Sequence, residues 1–103
     1  MESQLQYSND GRELAQIRDR TLPEAAEAQE ALRQAAYKDG VLSSKVKRLV
    51  SLGVALGAQC HGCILGQTRR ALAAGATREE IFEVIGVVMS MRGTTGGWES
   101  LQV

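Results

Sequence analysis

Proline occurs once in the 103 residues, at Pro23, and aromatic side chains make up only 4% of the chain. With few proline turns and few apolar–polar alternations, an all-β fold is excluded as the working expectation. So little aromatic volume means that a core is built from Ala, Leu, Val and Ile, with closely spaced backbones that the 11 glycines permit. An excess of either charge is also missing, since 12 Lys+Arg balance 12 Asp+Glu. A free-standing nucleic-acid binder carries a basic excess, so no nucleic-acid partner is expected. No window approaches the ~18 consecutive apolar residues of a membrane span. The start, Met1-Glu2-Ser3-Gln4-Leu5-Gln6-Tyr7, has neither the basic nor the apolar region of a secretory signal. The expectation is therefore a cytoplasmic protein with no membrane association. A chain this long makes one domain and buries roughly 60–70% of its unfolded surface, a modest core that self-association would help.

The periodicity points to helices. Residues 1–20 read as a polar N-terminal arm, loose at first, with a short amphipathic helix at Gly11-Arg12-Glu13-Leu14-Ala15-Gln16-Ile17. Residues 21–103 read as a single helical domain. Thr21-Leu22-Pro23-Glu24 is a helix start with Thr21 as cap, and the helix carries Ala25, Ala28, Leu32, Ala35 and Ala36 to a stop at Gly40. Ser43 or Ser44 caps the next helix, whose apolar positions are Val46, Leu49, Val50, Gly53, Val54 and Leu56. Lys45, Lys47 and Arg48 lie in its first turns, the wrong end for the helix dipole, which raises the question of another use for them. Gly57-Ala58-Gln59 breaks the pattern, and a further helix runs from near Cys60 to Ala74-Gly75. Thr77 with Glu80 forms a capping box opening the last helix. That helix, with Ile81, Phe82, Val84, Ile85, Val87, Val88, Met89 and Met91, is apolar nearly all round in its later half, as a central or shared helix would be. Met89 and Met91 suit a core better than a pocket. Gly93-Thr94-Thr95-Gly96-Gly97-Trp98 reads as a loop, with Trp98 docking on a partner chain or fraying.

Cysteine is scarce too, and both copies stand together as Cys60-His61-Gly62-Cys63. At i and i+3 on a helix start the two thiols share a face, and Gln67 follows one turn beyond Cys63. Unpaired amides at a helix N-terminus and a nearby cation both favour the thiolate, the species that attacks a peroxide or a disulfide. A second cysteine then closes a disulfide and guards against over-oxidation. His61, if protonated, would add to the hold on a thiolate, and an exposed turn residue with no role is the plainer account of it. Structural zinc needs four ligands. This chain offers two cysteines and a histidine lodged between them, so only an all-cysteine site shared by two chains would serve. No metal and no cofactor is expected. Two buried, inert cysteines are the remaining account of the pair.

Residues 44–93 resemble the carboxymuconolactone decarboxylase family, in its alkylhydroperoxidase AhpD-like branch, through Ala58-Gln59-Cys60-His61-Gly62-Cys63-Ile64 and Ala74-Gly75-Ala76-Thr77-Arg78-Glu79-Glu80-Ile81. The resemblance implies an all-α, AhpD-like helical domain over residues 21–103, assembled through apolar helices as a trimer or hexamer. It also implies a weak peroxidase or thiol–disulfide oxidoreductase served by a thiol reductant partner, with Cys63 as the attacking and Cys60 as the resolving cysteine. Helix-terminus reasoning alone favours Cys60 as the more acidic thiol. AhpD-like proteins carry a glutamate twelve residues before the first cysteine and a histidine four residues after the second, and these relay a proton. Here Arg48 and Gln67 stand at those positions, and neither titrates as a base. Arg48 would instead supply charge to the thiolate and Gln67 a hydrogen bond to sulfur or substrate. The contrasting account turns Arg48 to solvent and leaves Gln67 as filler. Glu79, Glu80 and Glu83 are candidate substitute carboxylates. Lys45, Lys47 and Arg48 either draw in an anion or form a solvated face. Two other functions stay open: decarboxylation of a cyclic lactone acid, the reaction that names the wider family and needs no cysteine pair, and a non-catalytic oligomeric assembly module.

Overall fold

The structure is a computed structural model that describes the backbone of residues 2–100 and the side chains of residues 10–92. Among the described residues every regular element is a helix: α1 (Glu2–Thr21), α2 (Pro23–Tyr37), α3 (Ser44–Gly57), α4 (His61–Ala73) and α5 (Arg78–Ser100). None of these is long and apolar enough to cross a membrane.

The expected loose start is instead part of the twenty-residue helix α1, which continues through Gly11. It packs on α2 and α4. Thr21 ends this helix and does not cap the next. The cap position of α2 is Leu22, with φ −130° and no side-chain hydrogen bond. The cause is Pro23, whose ring drives the preceding residue out of the helical region while itself fitting a first turn. Helix α2 stops at Tyr37, short of Gly40, and buries no residue fully.

Helix α3 is central, packed on both α4 and α5. Its start is fixed by Ser43, whose Oγ accepts from the Val46 amide at 3.2 Å. The three basic residues of its first turns each tie it to a neighbour. Lys45 Nζ pairs with Glu80 Oε2 at 2.9 Å, Lys47 Nζ donates to the Lys38 carbonyl at 2.6 Å, and the Arg48 guanidinium stacks on Tyr37. They are clamps to α5 and to the end of α2, neither a solvated face nor an anion trap. Tyr37 and Ser51 hydrogen-bond through their hydroxyls, closing the same junction.

The core is aliphatic, as the lack of aromatics requires. Leu52 and Leu56 are fully buried, surrounded by Ala55, Ile64, Ile81, Ile85 and Val88. Fully burying one leucine is worth about 1.5–3 kcal/mol, so these two residues anchor the α3–α4–α5 layer. Thr77 and Glu80 cap α5 reciprocally, with Thr77 N donating to Glu80 Oε1 at 2.8 Å and Glu80 N to Thr77 Oγ1 at 3.1 Å. Glu80 is held below the usual carboxylate range, first by its hydrogen bond to Lys45 and next by the Thr77 amide.

Two expectations about α5 are corrected. Gly93 to Trp98 is not a loop, because α5 runs on to Ser100. Extending an existing helix adds one hydrogen bond per residue fixed, without the penalty of a new nucleus, so a glycine-rich end can be carried along. The Trp98 side chain lies outside the described residues. Met89 and Met91 are also not core residues, being 47% and 81% exposed. Met91 instead lines an apolar groove between α3 and α5 with Val50, Val54 and Val87, all exposed.

Candidate functional site

The turn from α3 to α4 places the cysteines. Ala58 N bonds back to the Val54 carbonyl at 2.9 Å, and Gln59 adopts a left-handed φ of 57°. Gln59 thus makes the turn within the Gly57-Ala58-Gln59 break, and the left-handed region is uncommon for a residue with a Cβ. Cys60 N then bonds to the Ala55 carbonyl at 3.2 Å, and the Cys60 carbonyl accepts from Ile64 N at 2.9 Å. Cys60 is thereby locked as the N-cap of α4, in extended conformation. Cys63 falls in the first turn, and the two sulfurs are joined in a disulfide with the Cα atoms 5.2 Å apart. That separation lies inside the ordinary disulfide range of about 4.4–6.8 Å, so the motif closes without moving the backbone.

The pair is asymmetric. Cys63 is exposed and Cys60 half-buried. Both sit where the positive end of α4 meets the sulfurs, and no acidic residue lies in the first turn of α4 to oppose it. A thiolate released here on reduction is stabilised by the helix end.

The cysteines open into a cavity of about 660 Å³ between α1, α2 and α4, and Gln67 lines it with them. The Oε1 of Gln67 is buried without a hydrogen-bond partner, an acceptor ready for a donor. Arg48 and His61 stand outside the lining. His61 is an exposed first residue of α4. The Arg48 guanidinium carbon lies 3.5 Å from the centre of the Tyr37 ring, and its Nη1 is buried without a partner. The site thus gathers Cys60, Cys63 and Gln67, while Arg48 is held on the α2–α3 junction. The substitute carboxylates do not arrive: Glu79, Glu80 and Glu83 are on α5, and among the described residues no Asp or Glu lines the cavity. Among the described residues no three His, Cys, Asp or Glu side chains gather as a metal would require.

What the residue pattern missed is the opposite wall. Arg12 and Arg18 of α1 and Arg33 of α2 line the cavity together with Arg69 and Arg70 of α4. The only signal in the sequence was Arg69-Arg70 following Gln67 on the cysteine helix.

Residues 23–103 match the model of the carboxymuconolactone decarboxylase family, and the chain belongs to that family. A carboxymuconolactone decarboxylase family protein of Legionella pneumophila, solved as an apo crystal structure, superposes with a TM-score of 0.91 at 30% identity, over 99% of this chain and 94% of that one. An uncharacterised protein of Cupriavidus necator is 36% identical over 74 residues, which is 72% of this chain and 66% of that one. A protein described as uncharacterised protein 4 in the cox locus of Paracoccus denitrificans is 40% identical over 62 residues, 60% of this chain and 56% of that one. The matched part of the chain thus spans less than two thirds of each of these two curated relatives.

Proposed function

We propose that the chain is a thiol–disulfide oxidoreductase of the alkylhydroperoxidase AhpD-like type, working through Cys60 and Cys63. One observation carries this reading: the pair closes into a disulfide at a helix N-terminus, with Cys63 exposed at a cavity. In the reduced protein the Cys63 thiolate attacks a substrate disulfide and expels one thiolate, which takes up a proton. Cys60 then attacks the Cys63 sulfur of the mixed disulfide, releases the second thiol and restores the closed pair. With a hydroperoxide the same thiolate takes the terminal oxygen as a sulfenic acid and releases an alcohol. Cys60 closes the disulfide with loss of water.

The missing base decides between these substrates. A general base is worth about 10²–10⁴ in rate, and among the described residues no Asp, Glu or His lines the cavity. Disulfide exchange needs only a formed thiolate, which the helix end favours, so peroxidase activity is the weaker of the two. Gln67 gives a hydrogen bond to a sulfur or to an oxygen of the substrate. Arg48 and His61 act at most on the electrostatics of the pair from outside the cavity. A thiol reductant partner recharges the dithiol, and a cytoplasmic location supplies such thiols. The exposed apolar residues along α3 and α5 support a homo-oligomer.

The test is a redox titration of purified protein, with free thiols alkylated and read by intact mass. A reversible two-electron step between roughly −300 and −120 mV supports the reading. Thiols that never pair, or native protein carrying zinc, would turn attention to the assembly module. Lactone turnover that survives removal of both cysteines would favour the decarboxylase.

A further inference from the structure

Five arginines line one cavity with the cysteine pair. Arg12 and Arg18 come from α1, Arg33 from α2, and Arg69 and Arg70 from α4. Among the described residues no carboxylate lines the same space. In a chain with as many acidic as basic residues, this is segregation of charge and not a general excess. Two of the five have acidic neighbours at the surface: Arg18 pairs with Asp19 at 3.0 Å and Arg33 with Glu30 at 2.6 Å. Among the described residues no ion pair involves Arg12 or Arg70. A guanidinium presents five N–H donors in a planar fork, so even a paired arginine keeps donors for a second anion. The N-terminal end of α4 adds positive partial charge at the sulfurs. Gln67 also lines the cavity, its Oε1 buried and without a partner.

We propose that this cavity selects an acidic, peptide-like thiol as the reaction partner of the Cys60–Cys63 disulfide. Its carboxylates meet the arginines. The volume of about 660 Å³ accommodates a molecule of tripeptide size. The inference rests on the oxidoreductase reading and gives it a substrate class. The thiolate of one incoming molecule attacks the exposed Cys63 sulfur. The Cys60 sulfur leaves as a thiolate and takes the proton that the incoming thiol gave up. A second thiolate attacks the small-molecule sulfur of the mixed disulfide, and the Cys63 thiolate leaves and is protonated. Two thiols are oxidised to one disulfide, and the protein disulfide is reduced to the dithiol.

The test compares reduction of the oxidised protein by glutathione, which is anionic, by neutral 2-mercaptoethanol and by cationic cysteamine. Each rate is divided by that thiol's rate with an unhindered model disulfide. The expected result is a normalised rate at least about tenfold higher for glutathione than for cysteamine, an advantage that shrinks as salt is raised. In the Arg12→Gln/Arg70→Gln variant the glutathione rate falls about tenfold more than the 2-mercaptoethanol rate. Equal normalised rates for the three thiols in the wild-type protein would overturn the proposal and leave the oxidoreductase reading standing. A variant that slows all three thiols alike would do the same. A pair that no thiol reduces would overturn both. The salt and charge series on the wild-type protein decides the matter even if the variant fails to fold.

Discussion

The Arg48 guanidinium lies face-on to Tyr37, its central carbon 3.5 Å from the ring centre. Tyr37 in turn bonds its hydroxyl to Ser51, one turn along α3 from Arg48. Arg48 is thus part of a helix–helix junction, at the position where the AhpD-like resemblance implies a glutamate. A cation–π contact of this kind is worth about 0.5–2 kcal/mol. Arg48→Ala is expected to lower unfolding free energy by about that amount in urea titration, and to leave the Cys63 thiol pKa nearly unchanged. A large rise in that pKa would show that the guanidinium acts on the sulfur after all.

Restoring the relay is the complementary experiment. Arg48→Glu with Gln67→His places a carboxylate and an imidazole at the two positions where AhpD-like proteins hold them. Peroxidase turnover should rise in the double variant by at least about tenfold, within the ~10²–10⁴ that a general base supplies. Disulfide exchange should change little. A double variant that is stable yet no faster with peroxide would show that the missing base does not limit this site.

The exposure difference between the cysteines also makes a prediction. Cys63 is exposed and Cys60 half-buried. Cys60→Ser should therefore trap a stable mixed disulfide on Cys63, seen by intact mass as one bound thiol per chain. Cys63→Ser should trap little and lose exchange activity. The reverse pattern would assign the attack to Cys60, as its place at the helix cap alone suggests.

Most of the scaffold around the site was legible because its signals are local. Ser43 caps α3, and Thr77 with Glu80 forms the reciprocal box, each set within one turn of chain. The cysteine spacing and the turn before it were read the same way. The arginine wall was not legible, because it is made by helices α1, α2 and α4 meeting in space. The polarity of residues 1–20 suggested an arm, whereas α1 is held by packing on α2 and α4 that no local pattern announces. At the other end, glycines pointed to a loop where α5 continues. The basic residues at the wrong end of α3 are accounted for by partners distant in sequence, Glu80, Lys38 and Tyr37.

The capping box has a pH signature. Glu80 is held below its ordinary value of 4.5 in the folded chain, chiefly by Lys45. A depressed carboxylate contributes stability above its unfolded pKa and loses it as pH falls through the folded one. Stability should therefore drop on acidification below about pH 4.5, less steeply in Lys45→Met. Thr77→Ala, which removes the other half of the box, should cost about 1 kcal/mol and lower Tm by about 4–8 °C at neutral pH. Thermal unfolding from pH 7 down to 3 in the three proteins checks both. An identical acid slope in the Lys45 variant would show that Glu80 is not titrating against Lys45.

The groove between α3 and α5 sets the last prediction. Val50, Val54, Val87 and Met91 are 56%, 66%, 63% and 81% exposed along it, beside the core residue Val88. Monomeric proteins seldom leave such a contiguous apolar face open to water, and a chain this short gains more than most from covering one. Sedimentation should therefore report an oligomer. Val54→Lys, which sets a charge in the middle of the face, should shift it toward the monomer. The cysteine cavity lies on the α1–α2 side of α4, away from this groove. If the groove is only an assembly surface, the Val54 variant keeps its rate of disulfide exchange per chain. A monomeric variant that has lost exchange would mean that a neighbouring chain completes the site.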